Sequence, residues 1–290
     1  MTKIIQDLQE ARILLNEDPV KTEGGLSSGN AGESSNFLCY RALRLNYYAV
    51  TGLLARVCLY AGQRENAFNY STEVIKASNN GIFPFVDRSL VNGTAQDPDR
   101  IFSPEVLFAL SDSQRGELFE EYFDPSLAPN MVFRMETDLL EQTIYGGTGT
   151  GGNLDDYRCR SNWISSGSAR YFYKYSDMTE SGRIENTMIP LLRLGEMYLI
   201  AAESQSNSLA NGVSYINTLR KNRGVSNLQT LTTTLLQYEY IREVYGEGQL
   251  FFMYKRMYSS IIRSNSATNN PAPSNAVFVV PLPDTETENR

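Results

Sequence analysis

Apolar and polar positions alternate with a helical period at both ends of the chain and lose it in the middle. Ile4, Leu8, Ile13 and Leu15 open an amphipathic helix, and Asp18-Pro19 closes it. Residues 21–36, KTEGGLSSGNAGESSN, read as a polar surface loop. Residues 41–77 then predict a helix, a tight turn at Ala61-Gly62 and a second helix. Small residues fall where two crossing helices come closest: Ala55, Gly62 and Ala67. The spacing is that of a tetratricopeptide-type hairpin.

A second apolar run, IPLLRLGEMYLIAAESQ at 189–205, reads as one helix sandwiched between others. Arg193 and Glu196 lie three residues apart in it. On a helix they share a face, which predicts an ion pair clamped between stacked helices. A catalytic Arg-Glu pair is the alternative. A partner helix follows at 211–222, capped by Gly224, and a third pair runs through LLQYEYIREVYGEG and QLFFMYKRMY. Stacked pairs bury a continuous core that no single pair buries alone.

The middle, 81–187, holds short apolar pieces among Pro, Asp and Gly. Within YGGTGTGGNLDDYR at 145–158 stand five glycines in seven residues, too many for a regular element. This segment reads as a flexible binding loop. Beyond it, Tyr171, Tyr173 and Tyr175 alternate as a strand places them. The tail, VFVVPLPDTETENR, reads as extended. The expected architecture is therefore mainly α, a tetratricopeptide-like helix-pair scaffold with a loop-rich irregular insertion. It forms a single domain over 1–290: a helical-repeat part at 1–80, a loop-rich ligand-binding part at 81–187, and a C-terminal helical part with its tail at 188–290.

Composition narrows the chemistry. The 290 residues carry a net charge of -7, which disfavours nucleic acid as the main partner. No apolar stretch reaches the length of a membrane-spanning helix. The first 15 residues carry acids and helical spacing, so they read as a mature helix and not as a leader. Histidine is absent, which excludes Ser-His-Asp and Cys-His catalysis and histidine-based zinc sites. The three cysteines give no disulfide framework, although Cys39 with Cys159 remains an open pairing. No cofactor motif is present: the glycine-rich segment lacks the Lys-Ser/Thr ending of a phosphate-binding loop.

Two constellations remain. Glu117, Glu120 and Glu121, with Asp155-Asp156, are the available acids for a glycosidase, although adjacent acids on one helix usually form a solvated face. Asp155, Asp156 and Asn153 fall short of a calcium loop. The 18 tyrosines and 13 phenylalanines point instead to binding. Tyr145, Tyr157 and Trp163, interleaved with Asn153, Asp156 and Arg158, offer flat faces for sugar C–H groups and planar polar groups for hydroxyl rims. These six are the expected ligand-binding residues. Tyr171 and Tyr173 fit ordinary strand packing as well as ligand contact.

Taken in order along the chain, the segments resemble the SusD/RagB family of outer-membrane nutrient-binding lipoproteins from Bacteroidetes-type bacteria. The resemblance rests on YYAVTGLLARVCLYAGQRENAFNYSTEVI and SPEVLFAL, then on Arg193-Leu194-Gly195-Glu196, Asn217 to Arg220, and Arg242, Glu243, Glu247 and Gly248. It implies no enzymatic activity. It implies glycan, or in some members peptide, handed to a SusC-like TonB-dependent transporter at the outer-membrane surface. Membrane association there runs through a lipid anchor that this chain does not contain. The chain starts where the family's middle starts, so the resemblance implies a fragment or a shortened relative. Alternative readings are an intracellular tetratricopeptide-like scaffold that binds protein, and a carboxylate-based glycosidase.

Overall fold

The computed structural model describes residues 1–290 apart from 29–36, 93–94, 148, 181, 206–207, 263–267, 280, 282 and 284–290. The first helix, α1 (Thr2–Leu14), lies on α2 (Tyr47–Tyr60), which turns at Gly62 into α3 (Arg64–Asn79). Asn46 caps α2 by accepting from the Ala49 N–H at 2.9 Å, and its amide donates to the Leu107 carbonyl at 2.8 Å. One side chain thereby starts the helix and fixes it to the strand beside it. The hairpin expected at 41–77 is present, and its interface holds the small residues Ala55 and Ala67, both fully buried.

Against α3 packs α6 (Leu194–Glu203), which also contacts α7 (Val213–Lys221) and α8 (Thr233–Val244). The last pair closes with α9 (Leu250–Met257) against α8. Every residue of α6 is buried, as a helix apolar nearly all round requires. The fold is mainly α and built of tetratricopeptide-like helix pairs.

The run at 189–205 differs from its expected form. Met188–Arg193 is a strand, β5, antiparallel to β1 (Val106–Ser111), with Arg193 opposite Val106. The helix begins only at Leu194. Arg193 therefore points away from Glu196, and the two do not pair. Glu196 binds Arg56 of α2 through two contacts at 2.6 and 2.7 Å. Interhelical clamping is thus real, but its partner lies 140 residues away.

In the middle, α4 (Arg115–Tyr122) carries Glu117, Glu120 and Glu121 on its exposed side. A small sheet follows in the order β2 (Arg134–Glu136), β4 (Ala169–Phe172), β3 (Trp163–Ser166). Tyr171 lies on β4, but the strand ends at Phe172, so Tyr173 and Tyr175, expected to alternate with it, lie beyond the strand. Between β2 and β3 come a π-helical stretch, Leu139–Tyr145, the glycine-rich segment, and α5 (Tyr157–Asn162). Two loop expectations need correcting. Val20–Glu23 and Asn275–Phe278 are short helical turns, while 29–36 and most of the tail lie outside the described residues. Cys39, Cys58 and Cys159 are free thiols. No helix among the described residues is long and apolar enough to cross a membrane.

Candidate functional site

The insertion is fastened to the helices by buried charges. Glu239 and Glu243 stand one turn apart on α8 and face inward. Glu243 accepts from Arg193 Nη1 at 2.8 Å, Arg223 Nη2 at 2.7 Å and Arg158 Nη1 at 3.1 Å. Glu239 accepts from Arg158 at 3.1 Å, from Arg242 at 3.1 Å and from Arg220. Arg158 also grips Asp156 bidentately at 2.6 and 2.9 Å, and Arg223 grips Glu105 at 2.5 and 2.7 Å. Glu247 closes the chain with Arg193 at 2.7 Å and with Lys174. All of these groups are buried.

Burial alone pushes a carboxyl up. At Glu243 the guanidinium groups of Arg223, Arg193 and Arg158 outweigh it and hold the group well below the usual carboxylate range. The cluster joins five arginines and Lys174 to five carboxylates, one cation in excess. Arginine does not give up its proton in a protein, whereas lysine does. Burial and the neighbouring Arg193 accordingly bring Lys174 down to about 8, against the opposing pull of Glu247.

Gly195 shows why this architecture constrains sequence. A Cβ built there would lie 2.1 Å from Glu243 Oε1, so the carboxylate occupies the space that a side chain would need. The small residue after Leu194 makes room for a buried acid carried by the neighbouring helix α8.

The glycine-rich segment is held, not loose. Arg242 Nε donates to the Ile144 carbonyl at 2.9 Å, and its Nη2 donates to the Thr150 carbonyl at 2.8 Å. One guanidinium thus bridges both ends of the turn while its Nη1 holds Glu239.

The six expected ligand residues divide accordingly. Asp156 and Arg158 are buried in the ion network, so neither side chain reaches solvent. Tyr145 is buried with the Arg242 guanidinium 5.9 Å from its ring centroid. Burial raises its hydroxyl far above the ordinary range. Trp163 is 5% exposed and packs on Phe172 at 4.9 Å and Tyr245 at 5.2 Å. In place of the expected open platform, Trp163 sits in an aromatic cluster and Tyr145 is buried beside Arg242, because large rings bury more apolar area inside than at a rim. Asn153 is exposed, and its side chain accepts from the Asp155 N–H at 2.8 Å to shape the turn before α5.

Tyr157 is 9% exposed and packs with Val86, Val91 and Phe102, yet it borders a recess. It lines a cavity of about 400 Å³ together with Val86, Arg88, Lys221, Asn222 and Gly224. Its N–H donates to the Arg223 carbonyl at 3.0 Å. Its ring packs against Gly224, where a Cβ would come within 2.4 Å of the ring and where φ is +73°. Glycine satisfies both demands at once. Arg158, beside Tyr157, reaches both Glu239 and Glu243, while Arg220, beside Lys221, reaches Glu239 and Arg223, beside Gly224, reaches Glu243. Both walls of the recess are thereby fixed to the same two carboxylates. The arrangement offers a ring edge beside the exposed cations Arg88 and Lys221 and the half-buried Asn222 amide, which also donates to the Thr218 carbonyl at 2.9 Å; this suits a hydroxyl-rich ligand. Sequence reasoning missed Arg88, Lys221 and Asn222. The run Arg220-Lys221-Asn222-Arg223-Gly224, basic and ending a helix at a glycine, was the available signal.

Comparison with known proteins places these features in context. The model of the SusD family matches residues 113–277. No curated protein sequence matches the chain. Among solved structures, a Bacteroides vulgatus protein provisionally assigned to sugar binding is 21% identical with a TM-score of 0.66. The alignment covers 99% of this chain and 62% of that one. A SusD-like carbohydrate binding protein from the same organism is 18% identical with a TM-score of 0.60, over 98% of this chain and 63% of its own. A laminarin binding SusD-like protein is 16% identical with a TM-score of 0.52, over 88% of this chain and 60% of its own. At such identities the likeness establishes the fold. The chain spans about three-fifths of the length of these solved relatives.

Proposed function

The chain belongs to the SusD family, and from that premise we propose that it binds glycan at the Tyr157 recess. The observation that carries this reading is the placement of the Tyr157 ring on Gly224, with Arg88, Lys221 and Asn222 around the same cavity. The edge of the ring meets the apolar C–H groups of a pyranose, while ammonium, guanidinium and amide groups donate to its hydroxyls. Asn153, exposed on the preceding turn, extends the polar rim. Asp156 and Arg158 position the ring without touching ligand, and Tyr145 and Trp163 support the insertion from within. The role is recognition and needs no cofactor or catalytic group. The setting we propose is the outer-membrane surface of a bacterium, with the glycan passed to a SusC-like TonB-dependent transporter. Two of the similar structures, described as binding carbohydrate and laminarin, support the choice of ligand class.

Isothermal titration with a panel that includes laminarin oligosaccharides tests the reading. At least one oligosaccharide binds, and Tyr157→Ala weakens it about tenfold, the usual scale for losing one well-packed aromatic contact. Affinity unchanged by Tyr157→Ala, or silence across the panel, refutes the site.

A further inference from the structure

On the helical layer, away from the insertion, two recesses adjoin. The first, about 470 Å³, lies among α2, α6, α8 and α9, over Val57, Ile200, Val244, Phe252 and Met253. The second, about 550 Å³, continues past Tyr60 toward Gly62, Thr233 and Met257. Leu59, Tyr60 and Arg256 line both, so the two form one groove. The floor of the first recess is largely apolar and that of the second is mixed, and Phe252 stands 49% exposed against Tyr60, with ring centroids 6.3 Å apart.

The charges along this groove are unbalanced. Its two acids are already taken: Glu196 by Arg56 at 2.6 Å and Glu203 by Arg256 at 2.7 Å. Its two remaining cationic side chains, Lys255 and Arg64, are exposed and have no ion-pair partner among the described residues. In a chain of net charge -7, an apolar groove flanked by two free cations is locally the reverse of the whole. Its combined extent exceeds what a compact small molecule needs and suits an elongated one. Helix-lined grooves take peptide segments through spaced apolar anchors.

We propose that this groove binds an acidic peptide segment of a partner protein, with a large apolar side chain against Phe252 and flanking carboxylates at Lys255 and Arg64. The Phe252 ring supplies the anchor contact. The two cations set the sign of the partner and its speed of encounter. This site is separate from the Tyr157 recess and does not depend on it.

Fluorescence anisotropy on the whole chain tests the proposal. The probes are a labelled hexapeptide with a Phe-Leu centre flanked by Asp and Glu, and the same centre flanked by Lys. The acidic peptide binds about tenfold more tightly or better, and the preference shrinks with added salt. Lys255→Glu with Arg64→Glu reverses it, and Phe252→Ala weakens binding about tenfold. All three positions are exposed, so the fold tolerates the changes. Equal affinity for both peptides overturns the proposal. So does decanoate binding without peptide binding, or a dimer in sedimentation that Phe252→Ala dissolves while neither peptide binds.

Discussion

The α2–α3 hairpin and the glycine-rich insertion occupy one molecule and are held by opposite kinds of force. The hairpin closes on fully buried apolar side chains, Leu54, Ala55, Cys58, Ala67 and Val74, all within 21 residues of one another. The stretch of the insertion from Leu139 to Asn162 is tied down by Arg158, which reaches carboxylates 81 and 85 residues further along, and by Arg242, which holds the Ile144 and Thr150 carbonyls. Apolar contact is graded: a lost methylene costs its transfer energy plus a cavity term set by how far the neighbours relax. A buried ion pair is not, because removing one partner strands the other without water. The two regions should therefore fail differently when perturbed.

The sharpest contrast comes from Glu243→Ala, which leaves Arg158, Arg193 and Arg223 without their shared acceptor. We expect a loss of about 3–5 kcal/mol in chemical denaturation, the range for breaking a buried pair. Leu54→Ala in the hairpin should cost about 2–5 kcal/mol through transfer and cavity terms. The distinguishing readout is spatial: Leu54→Ala should leave carbohydrate binding intact, and Glu243→Ala should abolish it. Equal effects on binding would erase the comparison.

Smaller changes refine it. Gly195→Ala drives a methyl into the Glu243 carboxylate and should cost about 1–3 kcal/mol, the scale of overpacking. A similar addition at an exposed helical position should be neutral.

Lys174 adds a pH signature. Its folded pKa, about 8, lies below the unfolded value near 10.4. Between these values the unfolded chain binds more protons, so stability rises with pH across that window. Raised tyrosines such as Tyr145 oppose it above about 10, where unfolded tyrosine ionises. Lys174→Met should flatten the rise between about pH 8 and 10, by an amount on the order of 2 kcal/mol. Denaturation at several pH values checks it. An unaltered slope would mean that Lys174 is not the titrating group.

The smallest effect should come from Arg160→Ala, which removes an exposed pair with Asp155 at 2.6 Å. Surface pairs contribute less than about 1 kcal/mol, and added salt should hide even that.

The hairpin was legible because its information is local: helical period, a glycine turn and small residues at fixed offsets. The run at 189–205 misled because a short apolar stretch does not distinguish strand from buried helix. Pro190 was the neglected cue, since the residue before a proline avoids the helical region. The insertion was readable only as irregular. Its glycines suggested looseness, and nothing near them in sequence announces Arg242. Trp163 and Tyr145 were assigned to a surface because aromatic and polar residues interleave there, yet that composition serves equally for a core fixed by buried charges. Tyr157 has its environment from Arg88 and Lys221, 69 and 64 positions away, beyond any local pattern.

The account rests on α8 carboxylates holding the insertion in place, and amide hydrogen exchange on Glu239→Gln reads this directly. Glu239 contacts Arg158, Arg220 and Arg242, so the variant should speed exchange across 144–162 about tenfold or more while α2 and α3 keep wild-type protection. Exchange that rises equally in the hairpin and the insertion, or in neither, would contradict it.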